Sequence, residues 1–163
     1  MKNEIELARK NIASQFMGMR IFNLKLSYMG NEIHLRTTDN LQHYWWDQNK
    51  KTGFIESILL GLPTGDFIFS KQERFNLEII DGQQRLLTIM EFIGVLNNGL
   101  GGYEKPLILN GGEILPFLQG MSWEKLTDWQ RDLFAHEVVK CVYINGKCGQ
   151  QNKNSIFDRL NTI

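Results

Sequence analysis

A mixed α/β (α+β) fold, a small sheet with helices around it, is predicted by three observations. Apolar residues spaced by three or four alternate along the chain with stretches of period two. A short apolar strand, Leu77 to Ile80, passes through Asp81-Gly82 into a helical stripe at Leu86, Ile89, Met90, Ile93 and Leu96. Val138, Val139, Val142 and Ile144 form a β-prone run behind a helix start at Thr127. The 163 residues suit one domain, so residues 1–163 are read as a single unit.

Taken in order, Ile5, Ala8, Ile12, Phe16 and Met19 recur at helical spacing and predict an amphipathic helix from Asn3 to about Met19. From Arg20 the period changes to two, with Phe22, Leu24, Leu26 and Tyr28, then Gly30-Asn31, then Ile33 and Leu35. That pattern predicts a hairpin. A polar stretch, Thr37 to Gln42, leads to Tyr44-Trp45-Trp46, and Phe54, Ile55, Ile58 and Leu59 mark a short helix ending near Gly61 and Pro63. Asp66 to Ser70 reads as a short buried strand. After the central strand, turn and helix come Gly- and Asn-rich loops as far as Trp123. Thr127 with Gln130 forms a capping-box pattern for a helix through about His136. Asn145-Gly146 closes the next strand, and Ile156, Phe157 and Leu160 predict a last short helix.

Hydrophobic residues make up 42% and charged residues 22%, which excludes a disordered tail or a fibrous repeat. The 18 Lys and Arg balance the 18 Asp and Glu, so the chain has no overall field with which to hold nucleic acid, although a local basic groove remains open. Cys141 and Cys148 make neither a disulfide framework nor a CxxC pair, and no signal peptide or long apolar run is present. The expectation is a cytoplasmic protein without a membrane segment. The last helix is cut off three residues after Leu160, so a fragment of something longer is expected.

Asp81-Gly82-Gln83-Gln84-Arg85 places small and polar residues between an apolar strand and an apolar helix, which is how phosphate sites are built. Unpaired N–H groups and the positive end of the helix dipole favour an anion there. Gly82 permits a sharp turn, and Arg85 can offer two parallel bonds to phosphate oxygens. Asp81 can hold magnesium or orient water, and Gln83 and Gln84 can position a nucleophile. An Asp N-cap with a solvated first turn explains the same residues. Phe157-Asp158-Arg159-Leu160-Asn161-Thr162 reads equally as a second site segment or a surface helix. In Gln42-His43-Tyr44-Trp45-Trp46-Asp47 the aromatics can stack on a base or close the core, and for at least one Trp the core is the better reading.

Other signals fail. His34, His43 and His136 have no zinc-ligand spacing. Gly99-Leu100-Gly101-Gly102 with Lys105 lacks the ending of a P-loop and a preceding strand. Lys140 precedes Cys141 but in a strand would point to the opposite face, so a catalytic thiol is not expected. No GxSxG is present.

Together these segments resemble the N-terminal domain of GmrSD-type modification-dependent restriction systems, whose core is similar to the ParB and sulfiredoxin nucleotide-binding fold. The resemblance spans roughly Leu41 to Thr162. Ile79-Ile80-Asp81-Gly82-Gln83-Gln84-Arg85-Leu86-Leu87-Thr88 is similar to the family's IDGQQR signature and following helix start. Ile156 to Thr162 resembles its IFxRLNT signature, and Phe54 to Leu62 its helix before a proline turn. The resemblance implies a ParB/sulfiredoxin-like domain that binds and hydrolyses ATP or GTP with magnesium, serving a nuclease that acts on modified or foreign DNA. Carried over, Asp81, Gln83, Gln84 and Arg85 are the catalytic candidates, and Asp81 the magnesium ligand. Gly82, Arg85, Asp158, Arg159 and Asn161 are the nucleotide contacts, and Gln42, His43 and Trp46 the candidates for touching DNA or a base. The implied partners are the nucleotide, DNA and a nuclease domain or subunit.

The chain departs from the family in three places. Gln42-His43 replaces a QR pair, Pro63-Thr64-Gly65 replaces a PIP-like turn, and the sequence stops at Ile163 where members continue. It carries no HNH-like histidine cluster, so it is not expected to cut DNA by itself. The alternative to an NTPase is a catalytically silent regulatory or protein-interaction module that keeps the fold. Nothing in the sequence marks a guanine or adenine pocket.

Overall fold

The computed structural model describes residues 2–35, 45–72, 76–144 and 150–161. Among these, five strands form one mixed sheet in the order β1-β5-β3-β4-β2. The strands are β1 (Ser14–Arg20), β2 (Ile33–His34), β3 (Phe67–Lys71), β4 (Leu77–Asp81) and β5 (Val138–Ile144). The helices are α1 (Lys2–Asn11), α2 (Ile21–Met29), α3 (Gln48–Leu59), α4 (Gln83–Ile93), α5 (Asp128–His136) and α6 (Gln150–Asn161). β5 runs parallel to β3 and antiparallel to β1, while β4 is antiparallel to β3 and parallel to β2. The expected class, a small mixed sheet with surrounding helices, is what the chain adopts.

The N-terminal elements differ from the expected ones. The predicted helix from Asn3 to Met19 ends at Asn11, and Ser14–Arg20 is a strand paired along its whole length with β5, from Ser14 opposite Ile144 to Arg20 opposite Val138. The predicted hairpin is instead α2, followed by the two-residue strand β2. Alternating Phe22, Leu24, Leu26 and Tyr28 fits period two, but α2 buries Ile21 and Leu24, one turn apart, and leaves Phe22, Leu26 and Met29 exposed. Asn31, at φ 56°, reverses the chain after α2.

Each face of the sheet has its own apolar cluster. On one face Phe67, Phe69, Ile79, Val139, Cys141 and Tyr143 pack against Leu24 of α2, Ile55 and Ile58 of α3, Leu86, Leu87, Ile89 and Phe92 of α4, and Phe134 of α5. On the other, Ile68, Ile80, Val142 and Ile144 meet Ile156 of α6. α5 begins with the expected capping box, in which Thr127 accepts from Gln130 N and the Gln130 side chain returns to the Thr127 backbone.

The long segment between α4 and α5 has two 3-10 turns, at Pro116–Leu118 and Trp123–Lys125, and takes much of its hydrogen bonding from α3. Gln48 Nε2 donates to the Ile108 carbonyl, Thr52 Oγ1 accepts from Asn110 N at 3.0 Å, and Asn49 Oδ1 accepts from Asn110 Nδ2 at 2.9 Å. The buried Glu56 carboxylate accepts from Glu113 N, Ile114 N and Leu115 N at 3.2, 2.8 and 2.6 Å. Gln48, Thr52 and Glu56 recur every four residues, so one stripe of α3 carries these bonds. A Cβ at Gly112 would overlap the Glu56 carboxylate, which explains a glycine at that point.

Candidate functional site

The Asp81 loop is shaped by a break in the sheet register. Ile68 lies opposite Asp81 and Phe69 opposite Ile79, so Ile80 is an extra residue and β4 carries a bulge just before its end. A bulge turns the strand more sharply and re-aims the residues that follow. Gly82 then takes φ 95°, the left-handed region, and α4 starts at once with Gln83; Leu86 N donates to Gly82 O at 2.9 Å. The N-cap is Gly82 and not Asp81, and no side chain caps the helix. The start of α4 therefore keeps the arrangement of N–H groups and dipole that favours an anion.

Arg85 folds back over this turn. Its Nη2 donates to Asp81 Oδ2 at 3.0 Å and to the Asp66 carbonyl at 2.8 Å, and its Nη1 donates to the Thr64 carbonyl at 3.3 Å. The guanidinium carbon lies 5.5 Å from the centre of the Phe67 ring, and the side chain is 17% exposed. Three of its five N–H groups are thus engaged within the protein, joining the Thr64–Asp66 turn to the Asp81 loop. Gly65, at φ 83°, makes room for this, because a Cβ there would overlap Arg85 Nη1. Arg85 is consequently a brace between two loops as well as a cation at the helix start.

Gln84 joins the aromatic segment to the same loop. Its Oε1 accepts from Trp45 N at 3.1 Å and Trp46 N at 3.4 Å, just ahead of Asp47, whose side chain caps α3 through Lys50 N at 2.8 Å. Gln83 is half-buried at the first position of α4. Trp46 packs edge-on against Phe54 at 5.4 Å with the Lys50 amine 4.9 Å from its ring, whereas Trp45 is exposed. The core reading therefore holds for Trp46. Gln42 and His43 lie outside the described residues.

α6 packs against β4, with Ile156 touching the cluster that contains Ile80, one residue before Asp81. α6 therefore lies against the strand that ends in Asp81, through Ile156. Asp158 and Arg159 are exposed on α6, and Asn161 is its last residue.

The sequence reading missed the contribution of Thr64, Asp66 and Lys140. Lys140 Nζ pairs with Asp66 Oδ2 at 2.8 Å and lies 5.1 Å from the Phe16 ring, so a second cation stands beside the carbonyl that holds Arg85. The departure at Pro63-Thr64-Gly65 was the signal available, because a glycine there leaves space for a large side chain from elsewhere. Cys141 is buried on the face opposite exposed Lys140, and burial pushes its thiol up from 9.0 to about 11, against a smaller opposing effect of its hydrogen bond with Tyr143. It is a core residue.

As a magnesium ligand, Asp81 retains Oδ1 once Oδ2 is bonded to Arg85. Among the described residues no group of three His, Cys, Asp or Glu side chains converges. One carboxylate suits magnesium held largely by phosphate oxygens and water, and the residues fit that use. Among the described residues no helix is long and apolar enough to cross a membrane.

Residues 42–162 match the family model described as the GmrSD restriction endonuclease, N-terminal domain. No curated protein and no solved structure matches the chain.

Proposed function

Because the chain belongs to the family of GmrSD restriction endonuclease N-terminal domains, we propose that it binds and hydrolyses a nucleoside triphosphate on behalf of a restriction system. The observation that carries this reading is the Asp81-Gly82 turn, which holds a carboxylate and a guanidinium 3.0 Å apart at the start of α4. The first N–H groups of α4 and its dipole receive phosphate oxygens. Arg85 fixes Asp81 in place and presents its remaining N–H groups to the ligand. Gln83 orients the attacking water, and Gln84 positions the loop through its bonds to Trp45 and Trp46. Magnesium bound by Asp81 and the phosphates would neutralise charge on the transferred group. Asp158, Arg159 and Asn161 of α6 would add the remaining nucleotide contacts. DNA and a nuclease domain or subunit are the partners this role requires, with Gln42 and His43 as the contact candidates nearest the aromatic segment.

The three internal bonds of Arg85 favour a second reading, a module that keeps the fold and turns nothing over. Nucleotide binding and phosphate release by the purified chain, with and without magnesium, separate the two. Release that needs magnesium and disappears in Asp81→Asn supports hydrolysis. Binding without release supports the silent module, and no binding of ATP or GTP at millimolar concentration removes the nucleotide reading.

A further inference from the structure

A cavity of 360 Å³ opens at the far end of α4, lined among others by Tyr28, Asn31, Ile33, Asn97, Asn98 and Tyr103. The eleven residues of α4 separate it from the Asp81 loop, about 16 Å of helix. Its size falls in the range of small-molecule sites, roughly 300 to 1,000 Å³. We propose that this cavity takes an uncharged nucleobase, at a site separate from the phosphate loop.

The argument is one of chemical complementarity. Among the described residues the lining holds no Asp, Glu, Lys or Arg, so those residues offer nothing to pair with a phosphate, a carboxylate or an ammonium group. Its polar side chains present donors. Asn97 Oδ1 is taken by Gly99 N at 2.7 Å, and Asn98 Oδ1 by Leu100 N and Gly102 N at 2.8 and 3.1 Å. Backbone N–H groups are donors, so these contacts fix each amide with its oxygen in the loop and its NH2 group left to give. Tyr28 Oη accepts from Asn97 N at 3.3 Å, leaving its own proton to donate. Burial raises the Tyr28 pKa, which keeps the phenol protonated. Two tyrosine rings and apolar Ile33, Leu35 and Val95 complete the lining. A ligand for such a place is flat, apolar on its faces and rich in acceptors at its edge. The carbonyl oxygens and ring nitrogens of a nucleobase meet that description, and a base stacks on a tyrosine whatever its sequence context.

The test uses the full chain and uncharged nucleosides, which carry no phosphate for the Asp81 loop. Titration with cytidine, thymidine, adenosine and guanosine, followed by two-dimensional NMR, is expected to shift resonances of residues 28–35 and 95–103. Tyr103 is exposed, so Tyr103→Ala should fold normally while weakening binding about 5- to 150-fold, the range for loss of one stacked base. Asn31→Gly keeps the left-handed turn, removes an amide and is expected to weaken binding several-fold. A short single-stranded oligonucleotide that shifts the same resonances at lower concentration would identify a strand as the source of the base. No shift with any nucleoside at millimolar concentration overturns the proposal, as does equal binding by Tyr103→Ala, or an equal response to ribose alone. Asp81→Asn is expected to leave nucleoside binding unchanged, so failure of the phosphate site and failure of this cavity are read independently.

Discussion

Arg85 reaches back one helical turn to bond Asp81 at 3.0 Å, and the same nitrogen also holds the Asp66 carbonyl at 2.8 Å. The pair therefore ties the turn ahead of β3 to the loop that follows β4, as well as being part of the candidate site. From the sequence, Arg85→Ala is expected to remove a ligand contact and leave the fold nearly intact. The internal bonds change that expectation.

Arg85→Ala should lower stability by roughly 1.5 to 3 kcal/mol, the scale of hydrogen bonds made by a charged donor, and should weaken nucleotide binding as well. Urea denaturation and nucleotide titration on the same preparation measure both. A variant with unchanged stability would show that the brace carries no load.

Gly65→Ala acts on Arg85 from the other side of the contact. A Cβ there overlaps Nη1, and φ 83° strains any side chain, so a loss of about 1 to 3 kcal/mol is expected. Phosphate release should fall together with stability, because Arg85 must leave its place. Full activity in Gly65→Ala would mean that Arg85 works from another position.

Asp81→Asn keeps the size of the side chain and removes its charge. Magnesium-dependent phosphate release should disappear while the melting temperature moves by only a few degrees, since the carboxylate is partly exposed. Retained release would take Asp81 out of the metal role.

Glu56→Ala leaves three backbone N–H groups of residues 113–115 without their acceptor. The expected cost is on the order of 3 kcal/mol, read as a lower urea midpoint. A change within about 0.5 kcal/mol, the range of ordinary surface substitutions, would contradict the tether.

Alkaline pH tests the core beneath the sheet. The folded Cys141 thiol ionises near 11 and the unfolded one near 9.0, so its contribution is complete below pH 9 and is lost as pH rises toward 11. Burial, with Cys141 as neighbour, raises the Tyr143 phenol too, extending the loss upward. Urea midpoints should fall across this window, and less steeply in Cys141→Ala. An equal slope in both proteins would exclude the thiol as a cause.

The central strand, turn and helix were legible because each step is local: an apolar run, a glycine that permits positive φ, then a stripe at helical spacing. The N-terminal third was harder to read. Phe16 and Met19 fit the helical spacing of Ile5 and Ile12, yet the partner that makes Ser14–Arg20 a strand lies more than a hundred residues later, in β5. The apolar residues of α2 satisfy both periods, so their spacing alone does not separate helix from strand. In the site, Asp81 and Arg85 are four residues apart and could be read as a pair. The carbonyls of Thr64 and Asp66 could not, since every residue has one and only the fold selects them.

The stripe of α3 that holds residues 108–115 also sets how that segment opens. The amides of Asn110 and Glu113 to Leu115 and the carbonyl of Ile108 take their partners from Gln48, Thr52 and Glu56, while Leu109 and Gly111 bond to residues 119–121. The amides held by α3 lose their acceptors when it melts, so they open with it as one cooperative unit. In a hydrogen-exchange experiment Asn110, Ile114 and Leu115 would report the opening of a helix more than fifty residues away.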